Sequence, residues 1–223
     1  MESASTADAA REQVAAASRR LAAEGLVLGT AGNVSARAGG HVAITPTGAE
    51  LASLTADDVT VVALNGAVVA GTLAPTSEVD LHLGVYRRYD AGAVVHTHAP
   101  MATAVACVLE DELPCVHYAM LALGGSVPVA PYRTFGTAEL AEVVLDALEG
   151  KTAALMANHG AIVWAADVDK AVEQSLLLEW ACGVYWRAAQ VGTPRALSAD
   201  QQQDVVAAAL ERSYGTTKQL EDE

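Results

Sequence analysis

Three histidines in two short segments are the residues of this chain best suited to chemistry. His96 and His98 end a β-branched run, and His159 stands in the segment Asn158-His159-Gly160. On an extended strand, side chains at positions i and i+2 point to the same face, so the imidazoles of His96 and His98 can bind one cation together. A third imidazole from another strand end completes three protein ligands and leaves a position open for substrate, as a catalytic metal site requires.

Each histidine also has a purely structural interpretation. A single histidine near a strand end commonly makes a hydrogen bond inside the fold. An isolated His-x-His pair is a weak signal for metal binding. The remaining motifs of the chain therefore have to decide between the two interpretations.

The size and composition of the chain predict a globular protein. Its 223 residues are 52% hydrophobic and 18% charged, which is enough apolar material for a substantial core without metal or disulfide staples. We predict one domain over residues 1–223, with 213–223 as a C-terminal tail. Cys107, Cys115 and Cys182 are odd in number and have no CxxC spacing, so we expect free thiols in a reducing compartment.

The charge balance restricts the partners that we expect. The net charge is −14, from 27 acidic and 13 basic side chains, and basic residues cluster only at Arg19-Arg20 and Arg87-Arg88. Neither nucleic acid nor an anionic membrane is therefore an expected partner. The N-terminus has no signal-peptide pattern, and no apolar run reaches the length of a membrane span. We expect a cytoplasmic protein.

Local patterns predict an α/β domain. Helices are predicted over 6–24, 77–89, 100–109, 137–149 and 167–191, and a last one from Ser198, where Ser198-Ala199-Asp200-Gln201 fits a capping box. Strands are predicted over 33–37, 41–45, 59–64, 67–69, 93–98, 153–157 and 161–165. Gly25 is expected to end the first helix, and Asn65-Gly66 to form a two-residue hairpin turn. Mixed short strands and helices imply a central mixed sheet, largely antiparallel, covered by helices.

Three turns could hold an anion. Residues 29–33, 45–48 and 75–78 are rich in glycine, threonine or serine, and the last of them opens a helix whose buried side includes His82 and Tyr86. Turns of this kind expose backbone N–H groups, and a helix N-terminus adds partial positive charge, so they can bind phosphate without lysine or arginine. Each turn taken singly is also ordinary turn or capping chemistry.

Glu78 ends the third of these turns. A glutamate in a first helical turn is common because it complements the helix dipole. If it faces a metal, it is a carboxylate placed to move a proton on carbon.

The chain resembles the class II aldolase/adducin family, whose motifs occur here in the family's order between about residues 10 and 215. The matching segments are Thr30-Ala31-Gly32-Asn33-Val34-Ser35, Thr45-Pro46-Thr47-Gly48, Pro75-Thr76-Ser77-Glu78, His96-Thr97-His98, His117-Tyr118, Pro131-Tyr132-Arg133-Thr134-Phe135-Gly136-Thr137 and Asn158-His159-Gly160. Within the family, the fuculose-type aldolases are the most similar.

The resemblance implies a set of site residues. His96, His98 and His159 would bind one zinc ion, and Glu78 would be a metal-proximal acid/base that moves away when substrate chelates the ion. The substrate phosphate would be held by Thr30, Asn33, Gly48, Thr76 and Ser77.

The resemblance also implies an assembly. The family forms fourfold homotetramers with active sites at subunit interfaces, and its fuculose-type members place two tyrosines in each site. The corresponding residues here are Tyr118 and Tyr214. Tyr214 lies in a tail that would close over a neighbouring subunit's site.

The implied activity is zinc-dependent, reversible cleavage of a ketose 1-phosphate to dihydroxyacetone phosphate and a small aldehyde such as lactaldehyde. The ketose would be L-fuculose 1-phosphate or a related deoxyketose 1-phosphate. Two activities of the same family stay open, namely a pentulose-5-phosphate 4-epimerase, which typically carries aspartate at the position of Glu78, and a methylthioribulose-1-phosphate dehydratase. A non-catalytic, adducin-like scaffold is the alternative of a different class.

Overall fold

The computed structural model describes residues 2–212. Its α-helices are α1 (Glu2–Ala23), α2 (Val79–Arg88), α3 (Pro100–Ala106), α4 (Ala138–Ala147), α5 (Val168–Val191) and α6 (Ala199–Arg212). Its strands are β1 (Asn33–Ala38), β2 (His41–Ile44), β3 (Thr60–Ala63), β4 (Val68–Ala70), β5 (Ala93–Thr97), β6 (Glu112–Leu113), β7 (Val127–Ala130), β8 (Ala153–Met156) and β9 (Gly160–Ala165).

These strands form one sheet in the order β4-β3-β2-β1-β5-β9-β8-β7-β6. Strands β7 and β8 run parallel, and the other neighbouring pairs are antiparallel. Helices α1, α3 and α5 bury one face of the sheet, while α2 and α4 bury the other. The predicted α/β class, with a mixed and largely antiparallel sheet covered by helices, is confirmed.

Two helix ends form as their local sequences predict. Gly25 has φ +75°, and Leu26 donates its backbone N–H to the carbonyl of Leu21 at 2.9 Å, which is the Schellman closure after α1. At the start of α6, the backbone N–H of Ser198 donates to the side chain of Gln201 at 2.9 Å, and Ser198 Oγ accepts the N–H of Gln201 at 3.2 Å. The reciprocal bonds confirm the capping box.

Two local features differ from the prediction. The turn between β3 and β4 has three residues rather than two, since Ala63 and Ala67 are joined by a backbone hydrogen bond of 2.8 Å and Gly66 alone of the loop has a positive φ, of +89°. This is the three-residue hairpin with glycine in the left-handed position. In addition, β6, β7 and a 3-10 helix over Tyr118–Leu123 occupy a region for which no element was predicted.

The central strands carry polar side chains on the face covered by α2. In β5, Ala93 and Val95 lie in the core beneath α1, α3 and α5, whereas Val94 lies beneath α2 and α4. Since strand side chains alternate, His96 points to the α2 side. The sheet therefore presents the end of β5 to the start of α2.

The described chain shows neither disulfides nor a membrane span. Cys107, Cys115 and Cys182 are free thiols, as expected. Among residues 2–212, no helix is long and apolar enough to cross a lipid bilayer.

Candidate active site

The three predicted histidines converge at the ends of neighbouring strands. His96 lies in β5, His98 follows it directly, and His159 precedes β9, the antiparallel partner of β5. One ring nitrogen from each lies within 4.8 Å of the others, and Nε2 of His96 is 3.0 Å from Nε2 of His98. Two nitrogens bound tetrahedrally to one zinc ion, each at about 2.1 Å, lie about 3.4 Å apart. The three nitrogens therefore lie close enough that small side-chain shifts would let them share one ion.

The protonation of these rings also suits metal binding. Nδ1 of His96 lies 2.9 Å from the carbonyl oxygen of Ala161, which can only accept, so Nδ1 carries the proton and Nε2 presents a lone pair. Burial lowers the pKa of His96 and of His98, and it lowers the pKa of His159 to about 4. At neutral pH the rings are therefore uncharged, which is the form that ligates metal.

Close backbone contacts position His159. A Cβ built on Gly160 would lie 2.2 Å from the carbonyl oxygen of Thr97, so β9 begins in direct contact with the end of β5. Asn158 has φ +54°, a left-handed conformation that asparagine tolerates better than most residues. Together these residues form the tight turn that brings the His159 ring to the other two.

The chain after His98 is held by a carboxylate from α5. Glu179 accepts the backbone N–H of Met101 at 2.9 Å and that of Ala102 at 2.8 Å. These N–H groups belong to the first turn of α3, where they have no partner within the helix. The cap fixes the start of α3 and with it the segment that carries His98.

Glu78 lies among the histidines, at the N-cap position of α2. Its Oε2 is 3.2 Å from Nε2 of His96 and accepts a hydrogen bond of 2.9 Å from Nδ2 of Asn33. Its Oε1 is 3.6 Å from Nε2 of His159. Burial raises the pKa of Glu78, but the adjacent imidazoles and the Asn33 bond outweigh burial and bring that pKa to about 2. The carboxylate is therefore ionised.

This arrangement suits a divalent cation. Within residues 2–212, Oε1 of Glu78 is buried and has no hydrogen-bond partner. A buried carboxylate oxygen without a donor is costly unless a cation compensates its charge. Three neutral imidazoles beside that oxygen are the donor set that zinc and similar ions prefer.

A pocket of 350 Å³ opens beside the histidine group. Every residue predicted to hold phosphate lines it, together with Glu78, His98 and His159; these phosphate-site residues are Thr30, Asn33, Gly48, Thr76 and Ser77. A pocket of this size suits a small phosphorylated substrate. The structure thus brings the predicted phosphate turns and two of the three predicted metal ligands into one cavity.

The phosphate turns are tied to one another and to the metal ligands. The backbone N–H of Thr47 donates to the carbonyl of Ala74, and that of Thr76 donates to the carbonyl of Thr45, both at 3.0 Å. A Cβ on Gly32 would lie 2.9 Å from the carbonyl oxygen of His96, so the first turn packs against β5. These contacts fix the distance between an anion site and the histidine group.

Four residues from outside the three turns line the pocket although the sequence did not assign them to the site. They are Tyr132, Arg133, Phe135 and Asn158. Arg133 places a guanidinium beside a cavity whose other lining groups are neutral or acidic. The family-like stretches 131–137 and 158–160 contain these residues and are the signals in the sequence that point to them.

Of the two predicted tyrosines, Tyr118 does not line this pocket. Tyr118 is 43% exposed, its ring stacks on His117 with centroids 4.4 Å apart, and it lines a groove against Val205 and Ala209 of α6. Tyr214 lies outside the described residues. A role for either tyrosine therefore stays a prediction, and for Tyr118 it requires a second chain or a rearrangement.

Comparison with known proteins agrees with this geometry. Residues 12–186 match the family described as Class II Aldolase and Adducin N-terminal domain. A 5-deoxy-D-ribulose 1-phosphate aldolase of Bacillus thuringiensis serovar kurstaki is 37% identical over 198 residues, covering 87% of this chain and 92% of the relative. A 5-methylthioribulose-1-phosphate/5-deoxyribulose-1-phosphate aldolase of Rhodospirillum rubrum is 38% identical over 206 residues, covering 92% and 91%.

Solved structures agree as well. The structure of an L-fuculose 1-phosphate aldolase matches with a TM-score of 0.85 at 34% identity, covering 89% of this chain and 95% of that one. The fold, the site and these relatives define an aldolase, that is, a carbon–carbon lyase, rather than a scaffold. The chain belongs to the class II aldolase and adducin family, whose aldolases are metal-dependent.

Proposed function

We propose that this enzyme reversibly cleaves a deoxyketose 1-phosphate to dihydroxyacetone phosphate and a small aldehyde, with zinc held by His96, His98 and His159. The observation that carries the proposal is one cavity lined both by the phosphate turns and by Glu78 beside two of the histidines. The aldolases named above act on fuculose, deoxyribulose and methylthioribulose 1-phosphates, which supports this substrate class.

The chain's own residues account for binding and orientation. Backbone N–H groups and hydroxyls of Thr30, Gly48, Thr76 and Ser77 would hold the phosphate, as anions are held at turns and helix N-termini. The fixed spacing between those turns and β5 then directs the carbon chain of the substrate toward Glu78. When bound, zinc would supply Lewis-acid stabilisation of the negative charge that develops on the substrate oxygens.

Proton transfer is assigned to Glu78. In the direction of synthesis, its carboxylate takes a proton from the hydroxymethyl carbon of dihydroxyacetone phosphate. The electron pair of that C–H bond then forms the new bond to the aldehyde carbon, and the aldehyde oxygen takes a proton from Tyr118 or Tyr214. Cleavage follows the same steps in reverse.

The related activities receive less support. Epimerases of the family typically carry aspartate where this chain has Glu78, and the relatives at 37% and 38% identity are named aldolases rather than dehydratases. The shorter reach of aspartate would move the carboxylate relative to the histidines. Aldol cleavage is therefore better supported than the epimerase or the dehydratase activity.

A fourfold homotetramer and a cytoplasmic location belong to the same proposal. Tyr118 lies away from the pocket of its own chain, which is consistent with a site completed by a neighbouring subunit. Sedimentation analysis of the zinc-loaded enzyme tests the assembly, for which a stable monomer would be the contrary result.

The deciding experiment is a substrate panel. The purified enzyme is incubated with L-fuculose 1-phosphate, 5-deoxyribulose 1-phosphate, 5-methylthioribulose 1-phosphate and ribulose 5-phosphate, and release of dihydroxyacetone phosphate is measured. We expect cleavage of at least one of the first three, lost after chelation and restored by zinc. Formation of an epimer or a dehydrated product, without triose phosphate, would refute the proposal.

A further inference from the structure

Helix α2 and strand β1 interlock through polar side chains beneath the candidate site. Glu78, His82 and Tyr86 follow one another at four-residue spacing, which places them on one helix face. Asn33 and Ser35 alternate along β1 and meet that face. His82 and Ser35 are fully buried, and Asn33 and Tyr86 are 5% and 4% exposed. The five side chains form one continuous chain of hydrogen bonds.

The direction of each hydrogen bond follows from the carboxylate. Nδ2 of Asn33 donates to Oε2 of Glu78 at 2.9 Å, so the amide oxygen of Asn33 must point the other way. The amide oxygen of Asn33 then faces His82 and contacts Nε2. A carbonyl oxygen can only accept, so Nε2 of His82 must carry the ring proton. The geometry thereby assigns the ring proton of His82 to Nε2.

The opposite side of the ring is equally determined. With its proton on Nε2, His82 presents an unprotonated Nδ1 that accepts from the hydroxyl of Ser35 at 2.7 Å. The Ser35 oxygen can then accept from the hydroxyl of Tyr86 at 2.9 Å. All donors thus point from Tyr86 toward Glu78. Burial also lowers the pKa of His82 to about 3, which keeps the ring neutral at neutral pH.

The orientation of the Asn33 amide decides how Glu78 is held. Among the described residues, Oε1 of Glu78 has no hydrogen-bond partner, so the bond from Asn33 to Oε2 orients the carboxylate. Rotating the amide by half a turn would set its oxygen against Oε2 and its N–H groups against the N–H of His82. Both contacts would be repulsive, and the His82 proton is what makes the second one unfavourable.

We propose that His82 is a positioning residue of the reaction: its Nε2–H locks the Asn33 amide in the orientation that presents an N–H to Glu78. The carboxylate is then fixed beside the histidine group before substrate arrives. An amide nitrogen carries two N–H donors, so the same locked group can offer its second donor to a substrate oxygen. This inference rests on the proposed function, in which Glu78 moves the proton.

The test compares two substitutions at position 82 in the zinc-loaded enzyme. His82→Gln keeps an N–H donor near the place of Nε2, whereas His82→Leu keeps bulk and removes both nitrogens. We expect His82→Leu to lose about 10²-fold in kcat for aldol cleavage, as misplaced catalytic groups do, with a smaller change in KM. His82→Gln should recover most of that loss. Zinc content and Tm are measured for each variant.

Two controls separate positioning from general damage. His41→Leu removes an imidazole from the half-buried start of β2, away from the pocket, and should keep the parent's kcat. Tyr86→Phe removes the far end of the hydrogen-bond chain and should cost much less than His82→Leu, because Ser35 still donates to Nδ1. Equal losses in His82→Gln and His82→Leu, or parental turnover in His82→Leu at full zinc content, would overturn the proposal.

A measurement independent of activity separates this inference from the proposed function. Long-range ¹⁵N–¹H spectra of the histidine-labelled parent report which ring nitrogen of His82 is protonated, with His82→Gln used to assign the signal. Protonation of Nε2 is expected, and protonation of Nδ1 would sink the inference even in an active aldolase. A parent with the expected tautomer that cleaves no ketose 1-phosphate would refute the proposed function instead.

Discussion

Oε2 of Glu78 lies 3.2 Å from Nε2 of His96, inside the space that the metal ligands share. The two residues meet because α2 begins where β5 ends, on the same face of the sheet. In the proposed function, the carboxylate would thus be close enough to act on a substrate bound at the ion, while the imidazoles would be the metal ligands. Substitutions at the two kinds of residue should therefore have separable effects.

Removing one imidazole should abolish metal binding and catalysis together. In His98→Ala, two histidines are left to hold zinc, and the chelate that three ligands provide is lost. We expect less than stoichiometric zinc by elemental analysis and no measurable aldol cleavage. His41→Ala, which removes a histidine remote from the pocket, is the matched control. A His98→Ala enzyme with little zinc and normal turnover would contradict the metal role.

Glu78→Gln should separate metal binding from proton transfer. The amide has nearly the volume of the carboxylate but cannot accept a proton, so the variant should keep zinc and lose about 10²- to 10⁴-fold in rate. The measurement is exchange of the carbon-bound hydrogen of dihydroxyacetone phosphate in deuterated water, followed by NMR. Rapid exchange in this variant would exclude Glu78 as the base.

Ser77→Ala should weaken phosphate binding without slowing the chemistry. Ser77 lines the pocket, and a hydrogen bond to a charged group contributes about 1.5–3 kcal/mol, so KM should rise about tenfold or more while kcat changes little. Steady-state kinetics with the preferred ketose 1-phosphate measure both constants. Ser53→Ala, at an exposed serine away from the pocket, provides the comparison. A loss confined to kcat would place Ser77 outside the phosphate site.

His82 should make the zinc-free protein less stable in acid. Burial lowers its pKa to about 3 in the folded protein, against about 6.5 for an unperturbed histidine, so below pH 6.5 the unfolded chain takes up a proton that the folded chain does not. The free energy of unfolding should therefore fall as pH drops from 6.5 toward 3. Urea unfolding at several pH values should give a slope steeper in the parent than in His82→Gln, by about 1.4 kcal/mol per pH unit. Equal slopes would contradict this account.

Removing residues 213–223 should impair handling of the aldehyde more than binding of the phosphate. The tail, with Tyr214, lies outside the described residues, and its role is inferred from the family resemblance. We expect a higher KM for the aldehyde in the synthesis direction, with the KM for dihydroxyacetone phosphate nearly unchanged. Tyr214→Phe isolates the hydroxyl from the rest of the tail. Unaltered aldehyde kinetics in the truncated enzyme would remove the tail from the site.

Local signals made much of this fold predictable. The Schellman glycine at Gly25 and the capping box at Ser198 act within one helical turn, so sequence alone suffices to locate them. Strand β7 gave no such signal, because Pro128 interrupts a short apolar run and cannot donate to a ladder. It is tolerated because Val129 donates its N–H toward the β6 side, to Asp111, so the nitrogen of Pro128 faces the β8 side, where the ladder between β7 and β8 begins only at Val129. The pairing of β7 with β8 is a long-range, parallel contact that no local pattern reports.

The candidate site was predictable where spacing along one strand determines geometry. His96, in β5, and His98, just beyond its end, are two residues apart, which predicts that they point the same way, and their meeting with His159 was expected from two strand ends. The partners of Asn33 were not predictable. Its amide forms hydrogen bonds with Glu78 and His82, which lie on a helix far along the chain. The four-residue spacing of Glu78, His82 and Tyr86 was visible in the sequence. The contacts that these three residues make depend on β1, and the position of β1 relative to α2 is known only from the fold.

Gly32 and Gly160 mark the part of the candidate active site that cannot accept a larger side chain. The backbone of Gly32 packs against the carbonyl oxygen of His96, and that of Gly160 packs against the carbonyl oxygen of Thr97. Neither position, each next to a proposed metal ligand, has room for a new side chain. The wall formed by Tyr132, Arg133 and Phe135 is exposed and belongs to a separate loop. Libraries meant to reshape the pocket should therefore diversify that loop, since it can vary while the framework around the three histidines is kept intact.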